Sequence, residues 1–209
     1  MAQSAVMADT AIIYDVEFLT LEDSTTRFWC GPYDPDPVIA QIGAVKLDLT
    51  GTFEMIDTFR AYVTPPGRGG TPQAIDPFFT RLTGISEAEI AEKGQPLGAA
   101  LAAFDAFSGG ARLWSWGKDE FNMVAISCYV AGLAPPIPIE RFGNAAALVL
   151  KAGMPYDDVK RTRSNGLAAY FGMEIEGLRA HDGLDDALSV AHALRHLLSD
   201  GRLMAADFT

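Results

Sequence analysis

The sequence predicts an α/β fold in which a mixed β-sheet is covered by helices. Three observations carry that expectation. Strand-like segments come first, at Ile12–Val16, Val38–Leu47 and Phe53–Val63. Helical patterns follow and alternate with one further apolar run, Leu113–Trp116. Strands followed by helices that return to a strand point to a sheet with helical layers. Finally, 209 residues with 49% hydrophobic and 21% charged side chains suffice for one large core. No repeat, low-complexity tract or composition break divides the chain, so residues 1–209 are expected to form a single domain with a core of about 11–199.

Each element has its own reason. Ile12–Val16 is short and apolar, as a buried strand requires. Asp48-Leu49-Thr50-Gly51 supplies a hairpin turn between the second and third strands. Glu22–Pro37, with Trp29, Tyr33 and its prolines, reads as a long loop beside Glu17 that borders a substrate entrance. Ser86 and Glu89 form an S-x-x-E capping pattern that opens a helix to Lys93. Pro96–Phe107 carries Leu97, Leu101, Phe104 and Phe107 at helical spacing, and Asp119–Ala131 is stopped by Gly132. Asn144–Ala152 and Ser164–Phe171 each begin at a capping residue. In the last helix, Gly183–Leu198, one face collects Leu184, Ala187, Leu188, Ala191, Leu194 and Leu198. Asp186 falls at the edge of that arc. Asp185, His192 and His196 fall opposite, which favours Asp185 as a cap and leaves the two histidines as surface residues.

The formal net charge of −11 argues against coating of extended duplex nucleic acid, which calls for a basic face. It allows a short single-stranded end to enter a cation-filled cleft. Two cysteines, Cys30 and Cys128, lack metal-type spacing and suit a reducing compartment, with Cys128 in the core. The first ten residues lack a basic, apolar leader, and no segment approaches the ~20 apolar residues of a membrane helix. A cytoplasmic location, without membrane partners, is expected.

The chemistry-bearing residues stand at element edges. Asp15-Val16-Glu17 ends the first strand, Gly117-Lys118-Asp119-Glu120 follows Leu113–Trp116, and His181-Asp182-Gly183-Leu184-Asp185-Asp186 opens the last helix. Carboxylates brought together from these edges would repel, and a divalent cation would relieve them. His181 would add a proton acceptor. Each piece also has a structural reading: Asp119, Glu120, Asp182 and Asp185 all suit a helix N-terminus, where acids cap free N–H groups and meet the positive end of the dipole.

Taken in order, these residues resemble the DEDDh 3′→5′ exonucleases, a branch of the RNase H-like fold. Asp15 and Glu17 match the first motif, and His181 and Asp186 match the H-x4-D of the third. Gln41–Val45 (QIGAV) is similar to the second-strand signature, and Thr80–Ile85 (TRLTGI) to the L-T-G-I segment beside the 3′-terminal nucleotide. The segments Ser115–Lys118 (SWGK) and His181–Ala187 (HDGLDDA) resemble the exoribonuclease branch that trims histone mRNA and small RNAs. DNA polymerase proofreading subunits carry a histidine-asparagine pair where this chain has Trp116-Gly117. The second motif departs from the family. Spacing against Phe121, Met123 and Val124 places Glu120 at the family aspartate, and a one-residue shift places Asp119 there; both stay candidates.

The resemblance implies a single-domain 3′→5′ exonuclease that releases nucleoside 5′-monophosphates from single-stranded RNA or short oligonucleotide 3′ ends. Two Mg²⁺ or Mn²⁺ ions would be held by Asp15, Glu17, Asp186 and Glu120 or Asp119. His181 would act as general base. Phe18, Leu82 and Trp116 would wall the terminal base and sugar; core packing is nearly as good an account of Phe18 and Leu82 and a better one of Trp116. A DNA exonuclease and a catalytically silent binding module are the rival readings, and a homodimer is compatible with the family.

Overall fold

A computed structural model describes residues 9–209. Its sheet has five strands in the order β3-β2-β1-β4-β5, with β1 Thr10–Phe18, β2 Ile39–Asp48, β3 Met55–Tyr62, β4 Arg112–Ser115 and β5 Phe142–Asn144. The first three strands form an antiparallel meander, and β4 and β5 add in parallel to β1. β1 is therefore central and covered on both faces. This is why its sequence is an apolar run and not an alternation.

One helical layer is built around α8, Gly183–Ser199, laid along β1 and β2. Its apolar face, including Ala187, Ala191, Leu194 and Leu198, meets Ala11, Ile13, Val45 and Leu47. The opposite layer contains α3, Leu97–Ser108, and α4, Asp119–Ala131. There Leu101, Phe104, Val124 and the buried Cys128 pack on Ile12, Tyr14 and Val16. Two short helices, α1 Pro77–Thr83 and α2 Glu87–Lys93, cover a smaller core around Leu19, Val38 and Phe79. Odd and even residues of β1 thus face different cores, as the period of two requires.

The expected mixed sheet with flanking helices is present, and several local expectations need correction. Phe53 adopts a positive φ of 56°, so the third strand starts at Met55. α1 is additional to the expected elements. Its Asp76-Pro77 start carries an N-cap acceptor and a proline in the first turn, with Asp76 accepting from the Phe78 N–H at 2.7 Å. β5 and the helix α6, Tyr156–Arg161, are also additional, and both are too short to give a periodic signal. Ser164–Phe171 is a 3₁₀ turn, Ser164–Gly166, followed by a single turn of α7, Leu167–Tyr170, following α5 at Ala145–Lys151. Gly166 inside the segment weakens one continuous helix. Of the capping box at α2, only half forms: Ser86 Oγ accepts from the Glu89 N–H at 3.2 Å, while the Glu89 carboxylate turns to Lys93 at 2.9 Å.

The loop Glu22–Pro37 is organised by Asp34. Its carboxylate accepts from Ser24 Oγ at 2.9 Å, from the Gly31 N–H at 2.7 Å and from the Arg27 guanidinium. The Arg27 hydrogen bond pulls the Asp34 carboxyl down to about 2. Trp29 donates to the Leu19 carbonyl at 3.0 Å and packs, tilted, against Phe18 with ring centroids 5.6 Å apart. The loop therefore folds back against the residue that follows Glu17.

Candidate functional site

Two elements fix the position of the acids. β1 and β4 run parallel with Ile13 beside Trp114; β4 ends at Ser115 while β1 continues through Asp15 and Glu17, and open α/β sheets form their clefts beyond such carboxyl ends. Asp15 and Glu17 point from the end of β1, opposite Gly43 and Gln41 of β2, and a bulge follows at Glu17/Phe18. Beyond β4 the chain turns into α4. The Gly117 N–H donates to Asn144 Oδ1 at 3.1 Å, and the same oxygen caps α5 by accepting from the Ala146 N–H at 2.9 Å. That shared acceptor ties down the approach to α4.

The start of α8 is seated on β2. Gln41 Oε1 accepts from the Gly183 N–H at 2.7 Å, and Gln41 is fully buried. A side chain at Gly43 would collide with the backbone of Gly183 and Leu184, so only glycine lets the helix approach this closely. The Q-x-G of the second strand is thus the socket for the helix that carries Asp186. Asp182, and not Asp185, is the N-cap: its carboxylate accepts from the Leu184 and Asp185 N–H groups at 3.1 and 3.3 Å. Asp185 instead accepts from the Arg179 N–H at 3.0 Å.

Four acids end up nearly sealed from solvent: Asp15 at 6%, Glu17 at 8%, Glu120 at 8% and Asp186 at 5% exposure. Asp119 is exposed. Glu17, His181 and Asp186 bring one ligand atom each to within 4.8 Å of one another. Burial, then the charges of Glu120, Glu17 and Asp186, hold the Asp15 carboxyl well above the usual range. Burial and the Asp186 and Asp182 charges push Glu17 up to about 8. Burial raises Glu120 to about 7, with Asp119 adding to the rise, and raises Asp186 to about 7 against the Ser164 hydroxyl. No lysine or arginine forms an ion pair with any of the four among the described residues.

A divalent cation fits this donor set. Glu120 Oε2 and Asp186 Oδ1 are buried and lack hydrogen-bond partners. An acceptor left bare in the interior is costly, and a cation would satisfy these two together with the mutual repulsion of the four carboxylates. His181 stands in the left-handed region, φ 61°, directly before the cap residue. Burial, then the nearby Arg163 charge, lower its imidazole from the ordinary histidine value, which favours the neutral ring.

The other expected site residues lie at the edges. Phe18 is half-buried under Trp29. Leu82 is half-buried in α1, two residues before Gly84. Trp116 is held by its indole N–H on the Thr162 carbonyl at 3.1 Å and packs against the α8 core. His196 pairs with Asp200 at 3.2 Å, and no group of three metal-type ligands includes His192 or His196 among the described residues. Ser164, taken from sequence as a helix cap, instead donates to Asp186 Oδ2 at 3.3 Å. Only the folded contact reveals that.

Fold and site together define a class, and sequence comparison agrees with it. The exonuclease family model RNase_T matches residues 12–194, and the chain belongs to this exonuclease family. No curated protein matches the sequence. Among solved structures, a full-length 3′-exonuclease aligns with a TM-score of 0.72 at 22% identity, covering 96% of this chain and 64% of that one. A 3′-exonuclease in a structure of 3′-end-specific recognition of a histone mRNA stem-loop gives 0.71 at 22% identity, covering 92% and 83%. Exonuclease I of E. coli with single-stranded DNA and zinc gives 0.60 at 17% identity, covering 92% and 41%. The chain therefore spans less than two thirds of the length of the first of these structures. At such identities the likeness is one of fold. No helix among the described residues is long and apolar enough to cross a membrane.

Proposed function

We propose that residues 1–209 act as one metal-dependent 3′→5′ exonuclease domain that removes nucleoside 5′-monophosphates from single-stranded RNA ends. The observation that carries this reading is the set of four buried, cation-free carboxylates with a neutral histidine beside them. Mg²⁺ or Mn²⁺ ions held by Asp15, Glu17, Glu120 and Asp186 would supply Lewis acidity to the scissile phosphate and its leaving oxygen. The protein's own part is to hold those oxygens in place and to exclude bulk water. Ser164 orients Asp186, and the Gln41 socket fixes the turn that presents His181. His181 takes the proton from the attacking water. Phe18 and Leu82 would offer apolar surface to the terminal nucleotide, since stacking tolerates any base. Trp116, engaged with Thr162, would contribute only an edge.

RNA is favoured over DNA by the SWGK and HDGLDDA segments and by the fold shared with the exonuclease that recognises a histone mRNA end. Incubation of end-labelled single-stranded RNA with Mn²⁺, beside the matched DNA, tests the reading. A 3′-trimmed ladder abolished by EDTA is expected, with RNA turned over faster because only it offers a 2′-OH. Hydrolysis undiminished in excess EDTA would rule the mechanism out. Binding with no hydrolysis would favour a silent module, and faster turnover of DNA would reverse the substrate assignment.

A further inference from the structure

Two arginines converge on the buried carboxylate of Asp182, and Arg179 is the more exposed of the two. Arg60, on β3, donates to Asp182 Oδ1 at 2.6 Å and lies 3.9 Å from Asp185. Arg179 donates from Nη2 to Asp182 Oδ2 at 3.1 Å. Its backbone N–H is held in turn by Asp185. Yet the Arg179 side chain is 55% exposed, and its remaining N–H donors have no partner among the described residues.

Its location is specific. The guanidinium passes over Gly84, the residue that ends α1, where a methyl group would collide with Nη1. Gly84 has φ 77° and donates its N–H to the Thr80 carbonyl at 2.8 Å. Arg179 thus bridges the turn that leads through His181 into α8 and the end of α1, which carries Leu82. Its charge also reaches Glu17, where it opposes part of the rise caused by burial and the neighbouring acids. It is a fixed cation at the rim of an acidic cleft, on a chain of net charge −11.

We propose that Arg179 is a phosphate-binding residue for the substrate strand, meeting an internucleotide phosphate upstream of the bond that is cut. The inference rests on the exonuclease reading and assigns the strand its path across Gly84. Arg179 is held in place by an acid and is still open to solvent. Arg27, Arg68 and Arg141 are each closed by an aspartate, at 2.7, 2.8 and 2.5 Å. Arg179 is anchored through one donor and open through the others, so binding costs it little rotamer freedom. A guanidinium presents its donors in a planar fork that matches phosphate oxygens.

The test is a charge-neutralisation cycle read by fluorescence anisotropy. A 5′-labelled single-stranded RNA carries a neutral methylphosphonate in turn at each of the first three linkages upstream of the terminal one. At one linkage the change should cost the wild type about tenfold in affinity, the size of a charge-assisted hydrogen bond, and cost Arg179→Ala nothing further. The salt slope on the unmodified strand should shrink by about 0.7, one phosphate on a single strand. Equal losses in both proteins at all three linkages overturn the proposal. Arg179→Gln can still donate to Asp182 and replaces the alanine variant should that one fail to fold. Kinetics guard against an indirect effect: KM should rise far more on the oligonucleotide than on a mononucleotide p-nitrophenyl ester. An equal fall in kcat on both substrates would make Arg179 a positioning group for His181 and would also overturn the proposal. A wild type that binds the strand but hydrolyses nothing with Mn²⁺ defeats the exonuclease reading, while the binding cycle still decides the role of Arg179.

Discussion

Asp182 and Asp186 lie about one helical turn apart and are both nearly sealed from solvent, yet they are treated in opposite ways. Asp182 accepts from two backbone N–H groups and from Arg60 and Arg179. Asp186 has the Ser164 hydroxyl at 3.3 Å, an oxygen with no partner, no arginine or lysine paired with it among the described residues, and Glu17 and His181 within reach. The same side chain is a fastener in one place and a candidate site group in the other. A buried charge with every lone pair met stabilises the local fold, whereas one left bare among like charges waits for a cation.

The sharpest way to break that comparison is to remove each acid in turn. Asp15→Ala and Asp186→Ala should abolish turnover while leaving the metal-free melting temperature unchanged or higher, because each deletion relieves repulsion. Asp182→Ala should instead lower stability by roughly 2–5 kcal/mol, spanning the loss of a cap and of a buried ion pair. Paired thermal melts and turnover assays on the three variants decide it. An Asp186→Ala protein that melts as early as Asp182→Ala would place both acids in the structural group.

His181→Ala should lose roughly 10²–10⁴-fold in rate, the usual span for a general base, and keep its metal affinity. The ring lies close to Glu17 and Asp186, so affinity and rate have to be measured on the same protein. A large fall in affinity would make His181 a ligand; an unchanged rate would return it to a role at the helix start.

A smaller contrast is expected at α4. Glu120→Gln should cost more activity than Asp119→Asn, because Glu120 is buried with a bare oxygen and Asp119 is exposed. The opposite ranking in steady-state kinetics would mean that the first turn of α4 rearranges when the cation binds.

The gentlest probe is pH. Glu17, Glu120 and Asp186 have folded-state values of about 8, 7 and 7, each above its ordinary carboxylate value. The folded state therefore holds more protons than the unfolded chain between pH 4 and 8, and stability must fall as pH rises through that window. In EDTA the melting temperature should decline from about pH 5 to 8, and Mg²⁺ or Mn²⁺ should restore more of it at pH 8 than at pH 6. A metal effect independent of pH would show that the cation does not replace protons on these acids.

Much of this was legible in the chain. The apolar run Ile12–Val16, the hairpin signal Asp48–Gly51, the Gly132 stop and the apolar stripe of α8 gave the first strand, the β2–β3 hairpin, the helical cover of the sheet and the edge position of Asp186, because those signals are local and periodic. Other features were present as signals but acquired meaning only on folding. Gln41 and Gly43 stood in a recognised motif without a stated job, and Ser164 looked like a cap.

The sequence by itself determined which acids and which histidine stand at the ends of regular elements, and that those ends belong to strands and helices of one α/β fold. The tertiary structure decided which of two adjacent acids turns inward. The Asn144 bond to Gly117 anchors the turn into α4, and packing of that helix buries Glu120 while exposing Asp119. It also decided that Asp182 caps α8 and that Asp185 holds Arg179. Neighbouring residues on a helix differ by about 100° in direction, and no periodicity resolves a choice that depends on where the helix is clamped to the sheet.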